Sequence, residues 1–203
     1  VLVPAIHRKS ATRVRGGRVA KKNNWVPDLK DYYARPQSEI QIERTDPGPG
    51  YRHVVTVSEL RQFLEILPDW DELAVGLEAI SIWRGNSEWL GISNPGVVVI
   101  TAWPREMWWS VEPSWIEEEA EVLERLEVEV VAHPESSDLE VRWTPAQARA
   151  YMLTDVLVHE LGHHHDRMTS RSGRLGRGER FAVQYASRVR AEVWPEYTRR
   201  FGI

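Results

Sequence analysis

The chain has 203 residues, 42% hydrophobic and 28% charged, with a formal net charge of −4 at pH 7. That length suits one domain with a full core, or one domain plus an arm. No apolar run is long enough to span a bilayer and no signal peptide is evident; the start at Val1 reads as a processed or trimmed chain, and the absence of cysteine excludes both a disulfide framework and a thiolate zinc site, which makes a cytoplasmic location the default expectation.

The charge is unevenly divided. Residues 1–24 hold seven of the 26 Arg and Lys and no acid, which leaves 19 basic against 30 acidic groups in the remainder. With Gly16-Gly17 and the polar Lys21–Asn24, this stretch reads as an irregular, solvated arm. A basic arm also offers a contact for an acidic partner or nucleic acid. The Pro-rich stretch through Pro36 and Asp46-Pro47-Gly48-Pro49-Gly50 reads as a linker or extended cover, so residues 1–50 are set apart from a body at 51–203.

In that body His53–Val57 alternates like a strand, and Ser58 is expected to cap a helix whose Leu60, Phe63, Leu64 and Leu67 share a face up to Pro68. Arg61 at the third position after Ser58 makes this only half a capping box. Periodicity leaves Leu73–Trp83 open between a strand and a short helix followed by a strand. Trp89–Ser93, Asn94-Pro95-Gly96 and Val97–Trp103 read as a hairpin, with Val97-Val98-Val99-Ile100 a buried strand. An acidic helix is expected from Ser114 to about Leu126. Two strands, Glu127–Ala132 and Leu139–Trp143, follow around a polar turn. Thr144-Pro145 starts a helix that nothing but Gly162 interrupts until about Arg167. A Ser/Gly/Arg loop at 169–178 precedes a last helix from Glu179 to about Val193, ending at Pro195. The fold class is α+β.

His159-Glu160-Leu161-Gly162-His163 lies inside the long helix. Residues four apart on an α-helix differ by about 40° in azimuth and about 6 Å along the axis. Both imidazoles can converge on one tetrahedral Zn2+, and Glu160 can hold a water at that metal. A shuffled chain of this composition would contain about 0.03 such matches, so accident is a poor explanation. A catalytic zinc takes three protein ligands. A third His would need Gly at 166 and His at 169, where the chain has Asp166 and Thr169. His164 and His165 lie about 100° or more from the His159/His163 face. Asp166 shares that face but sits on the same element. Of the remaining acids, Glu192 and Glu196 flank Trp194-Pro195. Glu179 opens a helix whose Ala182 and Ala186 allow close packing on the motif helix, so Glu179 is the expected third ligand, rather than an acid that merely complements the helix dipole.

The sequence H-E-L-G-H, a loop, then E-x-x-A-x-x-Y-A resembles the gluzincin branch of zincin metallopeptidases, in particular minigluzincins and ImmA/IrrE-type proteases. The resemblance covers residues 144–190. It implies a twisted sheet packed on the motif helix, with an edge strand that Val97–Ala102 would supply and along which an extended peptide or protein substrate pairs. It further implies a zinc-dependent peptidase in which Glu160 takes a proton from the attacking water and passes it to the leaving amine. Tyr185, His164 and His165 are candidate oxyanion donors. Asp155 either orients a ligand imidazole or is a solvated helix residue. The three consecutive His and the Arg-rich loop depart from the family pattern, so substrate class does not carry over.

Other features divide between two readings. Arg167, Arg171, Arg174, Arg177 and Arg180 form a solvated loop or an electropositive rim. Trp103, Trp108, Trp109 and Trp115 build core or an apolar pocket, with core favoured. Glu117–Glu119, Glu121 and Glu124 read as a solvated helix face. Two functions compete with the peptidase: a nucleic-acid or partner-binding protein on a zincin scaffold with latent or no activity, and a metal-dependent hydrolase of non-peptide amides. No membrane association is expected.

Overall fold

The computed structural model describes residues 39–132, 136–170 and 177–203, with the backbone of two short strands, β1 (Val14–Arg15) and β2 (Arg18–Val19), which pair antiparallel. The rest of the basic arm, Pro36, the tip of the turn near Pro134 and most of the Arg-rich loop, including Arg171 and Arg174, lie outside the described residues. The architecture is mixed α+β, and no described helix is long and apolar enough to cross a membrane.

Strand β3 (Gln41–Arg44) belongs to the main sheet, so the folded body begins before Tyr51. The expected strand at 53–57 does not form: 53–56 are irregular and Val57 opens a helix, while a two-residue strand, β4 (Tyr51–Arg52), lies just before. Helix α1 (Val57–Leu64) is capped by Thr56 rather than Ser58. Thr56 has Glu59 three residues on, which completes the reciprocal capping box that Ser58 and Arg61 cannot form. Leu60, Phe63, Leu64 and Leu67 are all buried, as their spacing predicts. The ambiguous stretch resolves into α2 (Trp70–Leu73) and β5 (Ala79–Trp83).

The hairpin is present as β6 (Gly91–Asn94) and β7 (Val97–Thr101), turning through Pro95 and Gly96, whose φ of +73° requires glycine. Strand order is β3-β5-β7-β6, with β3, β5 and β7 parallel and β6 antiparallel. The β7 segment is therefore interior, not the edge expected at Val97–Ala102. Its run is apolar on both faces and all five residues are buried, which only a central position allows. The edge falls to the half-exposed β6.

Strand β8 (Trp103–Pro104) pairs with β4, and β9 (Trp108–Val111) begins a second sheet. The acidic helix is two pieces, α3 (Pro113–Glu118) and α4 (Ala120–Arg125), starting after Glu112 rather than at Ser114. The break falls at Glu119, which is buried, and Glu121 binds Arg190, so the acidic run is not wholly a solvated face. Strands β10 (Glu129–Ala132) and β11 (Leu139–Arg142) complete the order β10-β11-β9. Trp103, Trp109, Trp143 and Tyr151 pack with ring centroids 4.4–6.0 Å apart, so Trp103 and Trp109 are core.

Helix α5 (Pro145–Ala150) starts at Thr144, as expected, with Gln147 closing a capping box. The next seven residues, Tyr151–Leu157, are π-helical rather than α-helical, and all are buried. Thr154 donates its hydroxyl to the Ala150 carbonyl at 2.9 Å, the acceptor that α-helical pairing would assign to the Thr154 amide. Helix α6 (Val158–Thr169) carries the motif, and α7 (Glu179–Phe201) closes the chain. Pro195 lies inside α7 instead of ending it. The last turns are held from outside: Trp194, Tyr197 and Phe201 stack, and Arg149 donates to the Phe201 carbonyl at 3.0 Å. These contacts offset the hydrogen bond that Pro195 removes.

One buried charge ties these helices together. Asp155, fully inaccessible, accepts from Arg125 at 2.7 Å and from Arg190 at 2.8 Å, with the Thr154 hydroxyl oxygen 2.8 Å away. It is neither solvated nor bonded to a ligand imidazole; both oxygens are spent on the two guanidiniums. Arg125 also stacks over Trp194 at 4.3 Å. Removing the shared acid would take from Arg125 its carboxylate and leave Arg190 only the exposed Glu121, so Asp155→Ala is expected to cost about 3–5 kcal/mol. A urea midpoint within error of wild type would contradict this assignment.

Candidate metal centre

His159 and His163 project from one side of α6 with ring centroids 4.8 Å apart and planes at 84°. Glu179, the first residue of α7, points its carboxylate between them. His159 Nε2 lies 3.2 Å from Glu179 Oε1, and His163 Nε2 lies 3.3 Å from Glu179 Oε2. One donor atom from each of the three residues lies within 4.8 Å of the others. Four donors placed about 2.1 Å from a tetrahedral centre are about 3.4 Å apart, close to these separations. A charge-assisted N–H···O bond would close to about 2.7–2.9 Å instead. His159, His163 and Glu179 are thus a donor set that could hold a metal ion. The two imidazoles beside Glu179 hold its carboxyl well below the ordinary carboxylate range.

Three local devices bring α7 to this position. Gly162 lets the helices touch: a β-carbon there would lie 3.1 Å from the Tyr185 ring and 3.2 Å from the Ala182 backbone. Gly178, just before Glu179, adopts φ 73° and ψ −153°, a region open essentially to glycine alone. Asp166 then fastens the junction. It accepts from the Gly178 amide at 2.8 Å, from Arg177 Nε at 2.8 Å and from the Ser170 hydroxyl at 3.0 Å. Asp166 is a brace between the end of α6 and the start of α7. Burial by itself would raise its pKa; Arg177, two backbone amides and Ser170 outweigh that and hold it at about 2.

Glu160 faces the sheet edge. A β-carbon on Gly91 would lie 2.8 Å from Glu160 Cγ and 2.7 Å from Val156, so the Glu160 stem packs on bare β6 backbone. The neighbouring histidines turn elsewhere, as their azimuth predicts. His164 is fully buried with Nε2 3.0 Å from the Val75 carbonyl, and burial lowers its pKa. The His165 ring packs with Phe181 and Tyr185, and its Nε2 is 3.9 Å from Glu72. Burial pushes the Tyr185 hydroxyl up to about 12. Of the three candidate oxyanion donors, His164 is thus engaged at Val75, while His165 and Tyr185 pack on each other. Glu192 and Glu196 pair with Arg188 and with Arg199 and Arg200. Arg177 lies 3.6 Å over Phe181 while bonding Asp166 and Thr169, so it is a structural residue rather than part of a solvated loop.

Sequence reasoning left Asp166, Gly178 and Gly91 without a role. A Gly directly preceding Glu179 was the one available signal for the junction. Nothing in spacing marks Gly91, whose contact with α6 is purely tertiary. No protein-family model, curated protein or solved structure matches this chain.

Replacing Asp166 by Asn should destabilise the metal-free protein by about 2 kcal/mol, the gap between an ordinary carboxyl near 3.8 and one at about 2. Because the folded-state value is depressed, the stabilisation is complete above about pH 4 and disappears as pH falls through about 2. Urea unfolding of wild type and Asp166→Asn should therefore converge toward pH 2. A stability gap that stays constant across that window would show that the carboxylate's charge is not what braces the junction.

Proposed function

We propose that this chain is a zinc-dependent metallopeptidase with a zincin-like catalytic fold, in which His159, His163 and Glu179 hold the metal and Glu160 is the general base. The observation that carries the reading is the convergence of two imidazoles and one carboxylate, with ligand atoms within 4.8 Å of one another, and a second glutamate on the adjoining helical stripe. Two neutral nitrogens and one carboxylate oxygen suit zinc, and three protein ligands leave the fourth position to water or substrate. The edge strand β6 beside Glu160 supports a peptide substrate, since an extended chain can add to an unpaired strand. A structural metal would need no carboxylate at position 160.

Bound at this site, zinc would supply Lewis acidity and bring the pKa of a water toward neutrality. Glu160 takes the proton of the attacking water on its carboxylate and returns it to the departing amine. The Gly91 backbone keeps the Glu160 stem against the strand, which aims the carboxylate along the cleft. Asp166 and Gly178 keep Glu179 in register with the imidazoles.

Metal analysis should find one zinc per chain, with affinity falling at least about a hundredfold in Glu179→Ala and little changed in His165→Ala. Glu160→Gln should retain zinc and the melting temperature while losing peptide cleavage by about a thousandfold or more, because the amide cannot accept the proton. Undiminished zinc affinity in Glu179→Ala would refute the ligand set. Cleavage by Glu160→Gln at the wild-type rate would refute the base.

A further inference from the structure

The main sheet is buried on both faces, yet the described helices lie against only one. Strand alternation assigns Ile80, Ile82, Val98 and Ile100 to the helix side, where they join the main core. Ala79, Ser81, Val97 and Val99 point the other way and are 0% exposed within the single chain. Ala79, Val97 and Val99 form a separate apolar cluster, with Trp83, Trp89 and Ile92 packed against it. Trp83 and Ile92 belong to the sheet itself, and Trp89 stacks on Trp83 with ring centroids 5.9 Å apart. Trp83 is four residues from Ala79, about 13 Å along β5. Side chains standing side by side on one sheet do not close each other completely; that requires a layer above them.

The sequence just before β3 has the pattern of such a layer. Trp25, Val26, Leu29, Tyr32 and Tyr33 recur at i, i+1, i+4, i+7 and i+8. On an α-helix these positions fall within an arc of about 120°, and Asp28, Lys30, Asp31 and Arg35 fall outside it. Asn24 suits the N-cap of such a helix, and Pro36 disfavours its continuation through Arg35. The chain also enters the sheet at the right place, because β3 is an edge strand parallel to β5. Residues 36–40 can span up to about 17 Å. The β7 strand lies two places in from β3, about 9.6 Å, and a covering layer lies about 10 Å above a sheet, about 14 Å in all. The loop at 171–176 follows α6, whose Val158 and Leu161 belong to the opposite, main core. Residues 133–135 join β10 and β11 of the second sheet.

We propose that residues 25–35 dock as an amphipathic helix on the Ala79, Val97 and Val99 face of the main sheet in the same chain. A second copy is not needed, because the face is already closed within one chain. The folded unit then begins near Asn24, and the basic arm is residues 1–24 alone. This inference is independent of the peptidase reading, since the covered face lies across the sheet from Glu160.

Two readouts test it on the full chain. With p-benzoylphenylalanine in place of Tyr32, irradiation should attach position 32 to residues of β5 or β7 within one chain, read by peptide mass mapping. The same probe in place of Arg13 should give no such adduct. The chain has no cysteine, so Val97→Cys supplies a single thiol. Its reaction with N-ethylmaleimide should be at least about a hundredfold slower than in urea-unfolded protein. Adding Leu29→Asp should raise the native rate about tenfold or more, whereas Asp31→Lys, on the opposite side of the stripe, should leave it unchanged. Leu153→Cys, in the main core, reports global unfolding and should stay protected in Leu29→Asp. If Leu29→Asp opens both thiols alike, the crosslink alone decides. Adducts only on other elements, adducts only at the mass of a dimer, or no adduct at all would each overturn the proposal. So would a Val97→Cys thiol that reacts freely in the native chain, or one that Leu29→Asp leaves as protected as before.

Discussion

The geometry of the His159–His163–Glu179 cluster, the proposed metal site, depends on how closely α7 approaches α6. Two imidazoles on one helix can be aligned by helical spacing alone, but a third ligand on another helix must be delivered to within a few tenths of an ångström. Gly162 and Ala182 make that possible by removing side-chain bulk where the two backbones meet. With a larger residue at either position, the carboxylate of Glu179 would retreat from His159 and His163.

Close approach alone does not set the position of α7 along its own axis. Two buried aspartates supply that. Asp166 ties down the residues just before Glu179, and Asp155 holds Arg190, near the middle of the same helix. Each uses a charge that would be costly to bury without partners and satisfies it with charge-assisted bonds. The two aspartates sit on opposite sides of the motif in sequence, so the segment that carries His159, Glu160 and His163 is braced from both ends. The π-helical turns between Tyr151 and Leu157 belong to this arrangement, since they hold the Asp155 carboxylate where both Arg125 and Arg190 can reach it.

The cleft side of the centre is shaped by strand β6. As an antiparallel edge on a parallel sheet, β6 presents the backbone of Gly91 and Ser93 outward, beneath the stripe of α6 that carries Glu160 and Arg167. Glycine at position 91 lets a carboxylate-bearing stem lie directly on the strand. Glu160 and the outward backbone of β6 then lie side by side. An edge strand offers main-chain hydrogen bonds, which are the contacts that the proposed extended peptide would satisfy without regard to most of its side chains.

Local sequence was enough wherever the physics was local. Helical spacing put His159 and His163 on one face, composition ruled out thiolate ligands, and elimination left Glu179, all without a fold. The hairpin turn at Pro95-Gly96 and the Thr144 cap were legible because turn and cap chemistry acts within four residues. Reading failed where distant partners decided. Val97–Thr101 has the composition of a buried strand, but only pairing with β5 and β6 made it interior and moved the edge to Gly91–Asn94. Pro195 looked like a stop, and stacking around Trp194, Tyr197 and Phe201 carried the helix through it. Asp155 read as an orienter of a ligand imidazole or a solvated residue, and Asp166 as an acid on the motif face, until arginines from other segments were seen to bind them. Sequence by itself determined which atoms can ligate and take a proton, because those are properties of side chains at fixed helical offsets. Tertiary structure alone decided how near Glu179 comes, what Glu160 faces and which acids are braces, because each depends on packing between segments far apart in the chain.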